Sequence, residues 1–283
     1  MKFDSLISLY RKITFRVRGD YIAAHSGHSA LFIIISVFPL IILMLALVSR
    51  LGLEQNELLK LLGGLAPKGF QGDIFSSVSG IVERLGSVAV SMTILTLLWS
   101  ASGFIYSVTL GLNRIYRYKE NRNYFLLRGI SLLYTLVFLM LLLLIVGLTA
   151  LMGWAKSAIA TRLGSWNTGL NFLECILYFA LMLFVSALFY SFIPKKKSKL
   201  LNQLPGAVFT SLSWYGFSFV YPIYLKFSDN VSYIYGGLSM AILWLWWLYF
   251  SMYIFYIGAE LNVHLSLFKK ENTLKKDVKN DRF

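Results

Sequence analysis

Apolar residues in this chain gather into six long blocks, at 29–51, 88–112, 129–153, 170–193, 204–226 and 236–263, separated by polar gaps. An α-helix rises about 1.5 Å per residue, so each block can cross a hydrocarbon layer of about 30 Å. Backbone polar groups surrounded by lipid must bond within their own segment, which makes such blocks helical. The pattern predicts an all-α fold: a polytopic membrane helix bundle over residues 21–265, with six transmembrane helices.

Weaker periodicities flank the blocks. Phe3, Leu6, Ile7, Leu9, Tyr10, Ile13 and Val17 fall near helical spacing among basic residues, predicting an interfacial amphipathic helix within 1–20. The gap at 52–87 carries two apolar runs at helical period, Leu58 to Leu65 and Ile74 to Leu85, broken by Gly63, Gly64, Pro67 and Gly69. It predicts a helical outward loop that serves either as an interfacial cap or as a lid. Residues 266–283 are polar and basic and predict a cytoplasmic tail without regular structure. No internal repeat supports an inverted-repeat architecture.

Charge then orients the bundle. Twenty of the 27 lysines and arginines lie in the N-terminal arm, the second and fourth gaps and the tail, alternating with gaps that are poor in them. By the positive-inside rule both termini are cytoplasmic. The net charge of +14 is thereby a record of topology, and it implies anionic headgroups of membrane lipid as partners rather than nucleic acid. With 57% apolar and 14% charged residues, the composition is that of a membrane domain rather than a soluble one. The single cysteine, Cys175, excludes an internal disulfide and a thiolate metal cluster. No cleavable signal peptide is visible, so the first apolar block reads as a retained anchor.

Polar residues inside the blocks are the candidate chemistry, because each needs a partner in lipid. Thr93, Thr96, Ser100, Gly103 and Ser107 share one face of the second span. That face either lets another helix approach closely or lines a wet cavity. In the sixth span, Gly237, Trp244, Ser251 and Gly258 recur every seven residues. A second stripe runs through Trp246, Tyr249, Tyr253, Tyr256 and Glu260. Glu260 there is either a structural ion-pair partner or a proton-carrying group. Pro39 withdraws a donor from the carbonyl of Ile35, and Ser36, one turn away, could compensate. Asp20, His25, His28, Asn113, Arg114, Arg128, Glu260 and Asn262 all fall at the cytoplasmic level, as an electrostatic lock of helix ends or as an inner gate. His25 and His28 with Asp20 fall short of a metal site, and no metal or cofactor is expected.

These residues also form an ordered set. Asp20 and Ser36-Val37-Phe38-Pro39 are followed by Trp99-Ser100-Ala101-Ser102-Gly103 and Asn113-Arg114-Ile115-Tyr116. Pro194, Pro205-Gly206-Ala207 and Trp214 come next, then Tyr235-Gly236, Trp247-Leu248-Tyr249 and Gly258-Ala259-Glu260-Leu261-Asn262. In this the chain resembles the YihY/BrkB family of bacterial inner-membrane proteins, over about residues 20–262. The resemblance implies a six-helix protein of the bacterial cytoplasmic (inner) membrane, and export of a polar solute is the expectation it supports. The family has also carried a ribonuclease label. Three scattered histidines and membrane-edge acids form no hydrolytic centre, and no phosphate-gripping glycine loop is present, so an enzyme is not expected.

Two functions remain. A transporter or exporter of a polar or anionic solute or lipid would use Asp20, Ser36, Pro39, Thr96, Ser100, Asn113, Arg114, Tyr249, Tyr253, Tyr256, Glu260 and Asn262 for passage or gating. Pro194, Pro205, Gly206, Tyr235, Gly236 and Gly258 would shape the helices. The alternative is a non-transporting membrane scaffold or envelope assembly factor whose small-residue seams bind partner helices. Homo-oligomerisation is open under either reading.

Overall fold

The computed structural model of the chain describes residues 18–50, 87–163, 167–226 and 238–280. They form six helices: α1 (Ile22–Arg50), α2 (Ser87–Ile115), α3 (Tyr124–Leu163), α4 (Asn167–Phe192), α5 (Leu200–Lys226) and α6 (Leu238–Asn280). Among the described residues there is no strand. The expected N-terminal surface helix up to residue 17, the outward loop over 52–86, and Tyr235, Gly236 and Gly237 lie outside the described residues.

Four stretches are long and apolar enough to cross a membrane: Ser91–Ile115, Tyr124–Ile145, Cys175–Phe192 and Ile242–Phe268. This is fewer than the six spans expected. α1 contributes a shorter apolar stretch, Ile22–Val37. α5 is a continuous helix of 27 residues, but Asn202, Gln203, Thr210, Ser211, Ser213 and Ser218 dilute its hydropathy. A second difference lies at the C-terminus, where α6 continues to Asn280 through most of the tail expected to be irregular. Between Ala259 and Asn280 there is no glycine or proline to stop it, and leucine, lysine and glutamate favour the helix.

Helix α1 packs most extensively on α2, and α5 lies between α4 and α6. α3 leans on α2, while α6 reaches α1, α2 and α5. At the centre, Phe104 of α2, Phe138 of α3, Phe189 and Tyr190 of α4 and Phe255 of α6 form one aromatic cluster, with ring centroids 4.8 to 6.3 Å apart along its contacts. Tilted and edge-on rings at this spacing add attraction beyond burial.

Hydroxyls share the interior with the apolar core, while large apolar residues also face outward. Ser26, Ser29, Ser107, Thr109, Ser131, Thr135 and Thr210 are buried, whereas Val137 and Met140 on α3 are 66% and 68% exposed. Most of the buried hydroxyls stay satisfied by turning back to their own helix: Ser26 donates to the Ile22 carbonyl, Thr109 to Ile105, Ser131 to Leu127 and Thr135 to Ser131. Lipid removes the driving force between apolar faces, so close packing and hydrogen bonds must hold such helices together.

Helix α2 shows how. A Cβ on Gly103 would lie 2.2 Å from the Phe32 ring of α1, and one on Gly111 would lie 2.6 Å from the Tyr256 ring of α6. Between them, Ser107 and Ser29 pair at 2.9 Å, and Ser29 pairs with the Tyr256 hydroxyl at 2.8 Å, tying α2, α1 and α6. The face predicted from Ser100, Gly103 and Ser107 is thus a packing face here. Thr96 is exposed and its hydroxyl returns to the Met92 carbonyl at 2.9 Å. Pro39 lies inside α1, and Ser36 bonds the Ile33 carbonyl at 2.8 Å rather than the carbonyl of Ile35.

Candidate functional site

Several helix ends converge where the basic gaps lie. Helix α2 closes there with a double reverse turn: Tyr118 N–H donates to the Asn113 carbonyl at 2.8 Å, and Arg117 N–H to the Arg114 carbonyl at 3.1 Å. This ending wants a left-handed residue, usually glycine. Arg117 occupies it at φ 60°. The conformation points its guanidinium at the buried Asp20, 2.9 Å away, at the entrance to α1. Arg114 adds a longer contact to Asp20 at 3.8 Å, bonds the Gly19 carbonyl at 3.3 Å and lies over the Tyr21 ring. Tyr21 is itself left-handed, at φ 54°. Asp20 and Arg114 are therefore brought together, with Arg117 as the partner that a sequence reading missed.

Asn113, buried at the same level, joins three segments. Its Nδ2 donates to Glu120 at 2.8 Å, and its Oδ1 accepts the Lys195 N–H at 2.7 Å, just after Pro194. Arg122 grips Glu120 through Nε at 2.7 Å and Nη2 at 2.6 Å, and that hydrogen bonding holds the Glu120 carboxyl below its usual range. Lys195 Nζ returns to the Lys119 carbonyl at 2.8 Å. Two loops are thereby pinned to the foot of α2.

On the far side, α5 and α6 cross at van der Waals contact. A Cβ on Gly206 would lie 2.1 Å from the Gly258 carbonyl, and one on Gly258 would lie 2.0 Å from Thr210 Oγ1. Pro205 has no N–H and disturbs the turn before it. Asn262 supplies a substitute from α6: its Oδ1 accepts the Gly206 N–H at 2.7 Å, and its Nδ2 donates to the Gln203 carbonyl at 3.1 Å. Tyr190 completes the crossing from α4, donating to the Phe255 carbonyl at 2.6 Å and meeting Thr210 at 2.7 Å. Pro205, Gly206, Gly258 and Asn262 form one junction.

Beside that junction a pocket of about 630 Å³ opens. Tyr116, Tyr190, Pro194, Lys196, Gln203 and Asn262 are among its walls. The Tyr116 hydroxyl donates to Gln203 Oε1 at 2.6 Å, and Gln203 Nε2 donates to Ser198 at 3.0 Å. Burial first, then Tyr118 and Glu260, push the Tyr116 phenol up against an opposing hydrogen bond from Asn262, so it remains a neutral donor. Glu260 is buried next to this assembly. Chemically, the pocket offers amides, hydroxyls and one lysine to a polar or anionic group.

The tyrosine stripe of α6 divides. Tyr256 is fully buried in the contact with α1 and α2, while Tyr249 and Tyr253 are half-buried with ring centroids 6.1 Å apart. Sequence reasoning missed Tyr116, Tyr190, Gln203 and Lys196 as site residues. The available signals were a glutamine two positions before the helical proline and a tyrosine four positions before Pro194. Among the described residues, no three histidine, cysteine, aspartate or glutamate side chains gather as metal ligands would.

Comparison with known proteins matches the family described as Virulence factor BrkB over residues 14–282. A putative ribonuclease-like protein of Bacillus subtilis, YfkH, is 28% identical, covering 87% of this chain and 92% of its own. A UPF0761 membrane protein of Coxiella burnetii is 33% identical over 138 residues, 46% of this chain and 49% of its own. No solved structure matches.

Proposed function

The chain belongs to the virulence factor BrkB family of membrane proteins, and from that premise we propose that it is a transporter of a polar or anionic solute or lipid, most plainly an exporter. It threads the bacterial cytoplasmic membrane six times, with both termini inside. Helices α1 and α5 complete the set, with Ser26 and Ser29 of α1 and Gln203, Thr210 and Ser211 of α5 buried among their neighbours. The observation that carries the reading is the pocket at the basic end. Lys196 lines it, and the basic gaps of the sequence, read as cytoplasmic, would draw anions toward it. Its floor is made of neutral hydrogen-bonding groups at a junction of three helices, and Glu260 stands behind it as the group able to couple passage to protons.

A plug tests this. Ser266 lines the pocket and is exposed, so Ser266→Trp fills the mouth without entering the helix crossing. Cells producing the wild-type protein should release a polar metabolite or lipid that Ser266→Trp cells retain. Identical media and outer-surface lipids for wild type, variant and empty vector would remove the transport reading. The scaffold reading is favoured by one observation: beside the pocket, the close Gly206–Gly258 contact and the Tyr190 hydrogen bonds lock α4, α5 and α6 together. Copurification of a stoichiometric partner, without flux in proteoliposomes, would select it. Neither reading assigns the protein a catalytic step.

A further inference from the structure

The hydrogen bonds around the pocket beside the α5–α6 junction run in one direction, and the backbone sets it. A backbone N–H can only donate and a carbonyl can only accept. Asn262 therefore turns Oδ1 to the Gly206 N–H, at 2.7 Å, and Nδ2 to the Gln203 carbonyl, at 3.1 Å. Its remaining amide proton goes to the Tyr116 phenol oxygen. With that oxygen already accepting, Tyr116 gives its own proton to Gln203 Oε1 at 2.6 Å. Gln203 is thereby oriented with Nε2 toward Ser198, which accepts at 3.0 Å. Each link fixes the next, and the chain ends on the Ser198 hydroxyl with its proton still to give.

Ser198 lines the pocket, and so does Lys196, two positions earlier in the same loop. Among the described walls Lys196 is the one charged side chain, and no carboxylate is present. Two other hydroxyls of the pocket have spent their protons: Tyr190 on the Phe255 carbonyl and Ser266 on the Val263 carbonyl. Leu201 and Gln203, in the first turn of α5, also form wall, which sets the positive end of that helix dipole at the same place. Donors thus gather around Lys196 and Ser198. Pro194, Leu201, Pro205 and Leu265 supply apolar wall. A volume of about 630 Å³ suits an organic molecule rather than a bare ion. One lysine balances one negative charge, and a second charge held there would lack a partner.

On the reading of this pocket as a solute site, we propose that its occupant is a singly charged organic oxyanion with an apolar body, free in the cytoplasm, whose oxygens meet Lys196 and the Ser198 hydroxyl. Tyr116 and Gln203 are positioning residues that keep Ser198 a donor. Ligand-observed NMR titrations of the full-length protein in phosphatidylcholine nanodiscs test this, with benzoate, its neutral amide benzamide and the dianion terephthalate as probes. Benzoate should bind about tenfold more tightly than benzamide, as hydrogen bonds to a charged group allow. Terephthalate should bind more weakly than benzoate. Lys196→Gln and Ser198→Ala should each remove most of the benzoate preference and leave benzamide unchanged. Ser198→Ala keeps the backbone bond from residue 198 to the Ser191 carbonyl, so the loop stays in place. Tyr116→Phe, which frees the Gln203 amide to turn, should lower the preference without removing it. Equal binding of benzoate and benzamide by the wild type overturns the proposal, as does a variant series that weakens both probes alike. Loss of benzoate binding in phosphatidylglycerol nanodiscs also overturns it, by giving the site to a lipid headgroup. These titrations measure no flux: failed transport would leave the benzoate preference standing, and an absent preference would leave transport of an uncharged solute standing.

Discussion

Among the described residues, glycines at 103, 111, 206 and 258 leave no room for a Cβ, and substitution there separates packing from propensity. An alanine at 258 would press its Cβ to 2.0 Å from Thr210 Oγ1 and 2.7 Å from the Tyr190 hydroxyl. Overpacking of this kind costs about 1–3 kcal/mol or more, so Gly258→Ala should lower the melting temperature measured in detergent. Gly216 has nothing within 4 Å of a would-be Cβ. Gly216→Ala should gain up to about 1 kcal/mol from helix propensity and raise it. Glu120 supplies a pH test outside the spans. Hydrogen bonding to Arg122 lowers its carboxyl pKa, so its contribution is present above the unfolded-state value and is lost as pH falls through the folded one. The stability gap between wild type and Glu120→Gln should be steady near neutrality. It should close below the ordinary carboxylate range. A gap that widened in acid would contradict the Glu120–Arg122 grip.

At the scale of an element, the ending of α2 sets two effects against each other. Arg117 bears the strain of a left-handed residue and gains Asp20 in return. Arg117→Gly loses the ion pair but sheds the strain, whereas Arg117→Ala loses the pair and keeps the strain. The glycine variant should therefore melt above the alanine variant, by about 1 kcal/mol in stability. The reverse order would mean that the turn does not constrain this position. The same ending shows what sequence could and could not reveal. That Asp20, Asn113, Arg114 and Asn262 share a level followed from block lengths alone. Their partners did not. Asn262 meets Gly206 across 56 positions of sequence and Asn113 meets Lys195 across 82, and no local pattern encodes such meetings. The stripe on α2 was legible as a face, but its division into the packed Gly103 and Ser107 and the exposed Thr96 depended on where α1 crosses it. The tail of α6 was read from charge as irregular, although its residues carry good helix propensity and no breaker.

For the whole molecule, apolar blocks and basic gaps point to one picture: many hydroxyls buried beside the apolar core, large apolar side chains also exposed, and Arg114, Arg117, Arg122 and Lys195 meeting at one end of the described helices. The pocket, the Asp20–Arg117 pair and the α5–α6 junction all lie at that end, so the account depends on its being the cytoplasmic one. Cysteine accessibility measures this directly, because the chain has one cysteine, Cys175, to remove. In a Cys175→Ser background, Lys196→Cys and Ser266→Cys should react with a membrane-impermeant maleimide in inside-out vesicles. They should stay unlabelled in intact cells. Labelling of either position from outside the cell would contradict the orientation and, with it, the pocket as an entry for cytoplasmic solute.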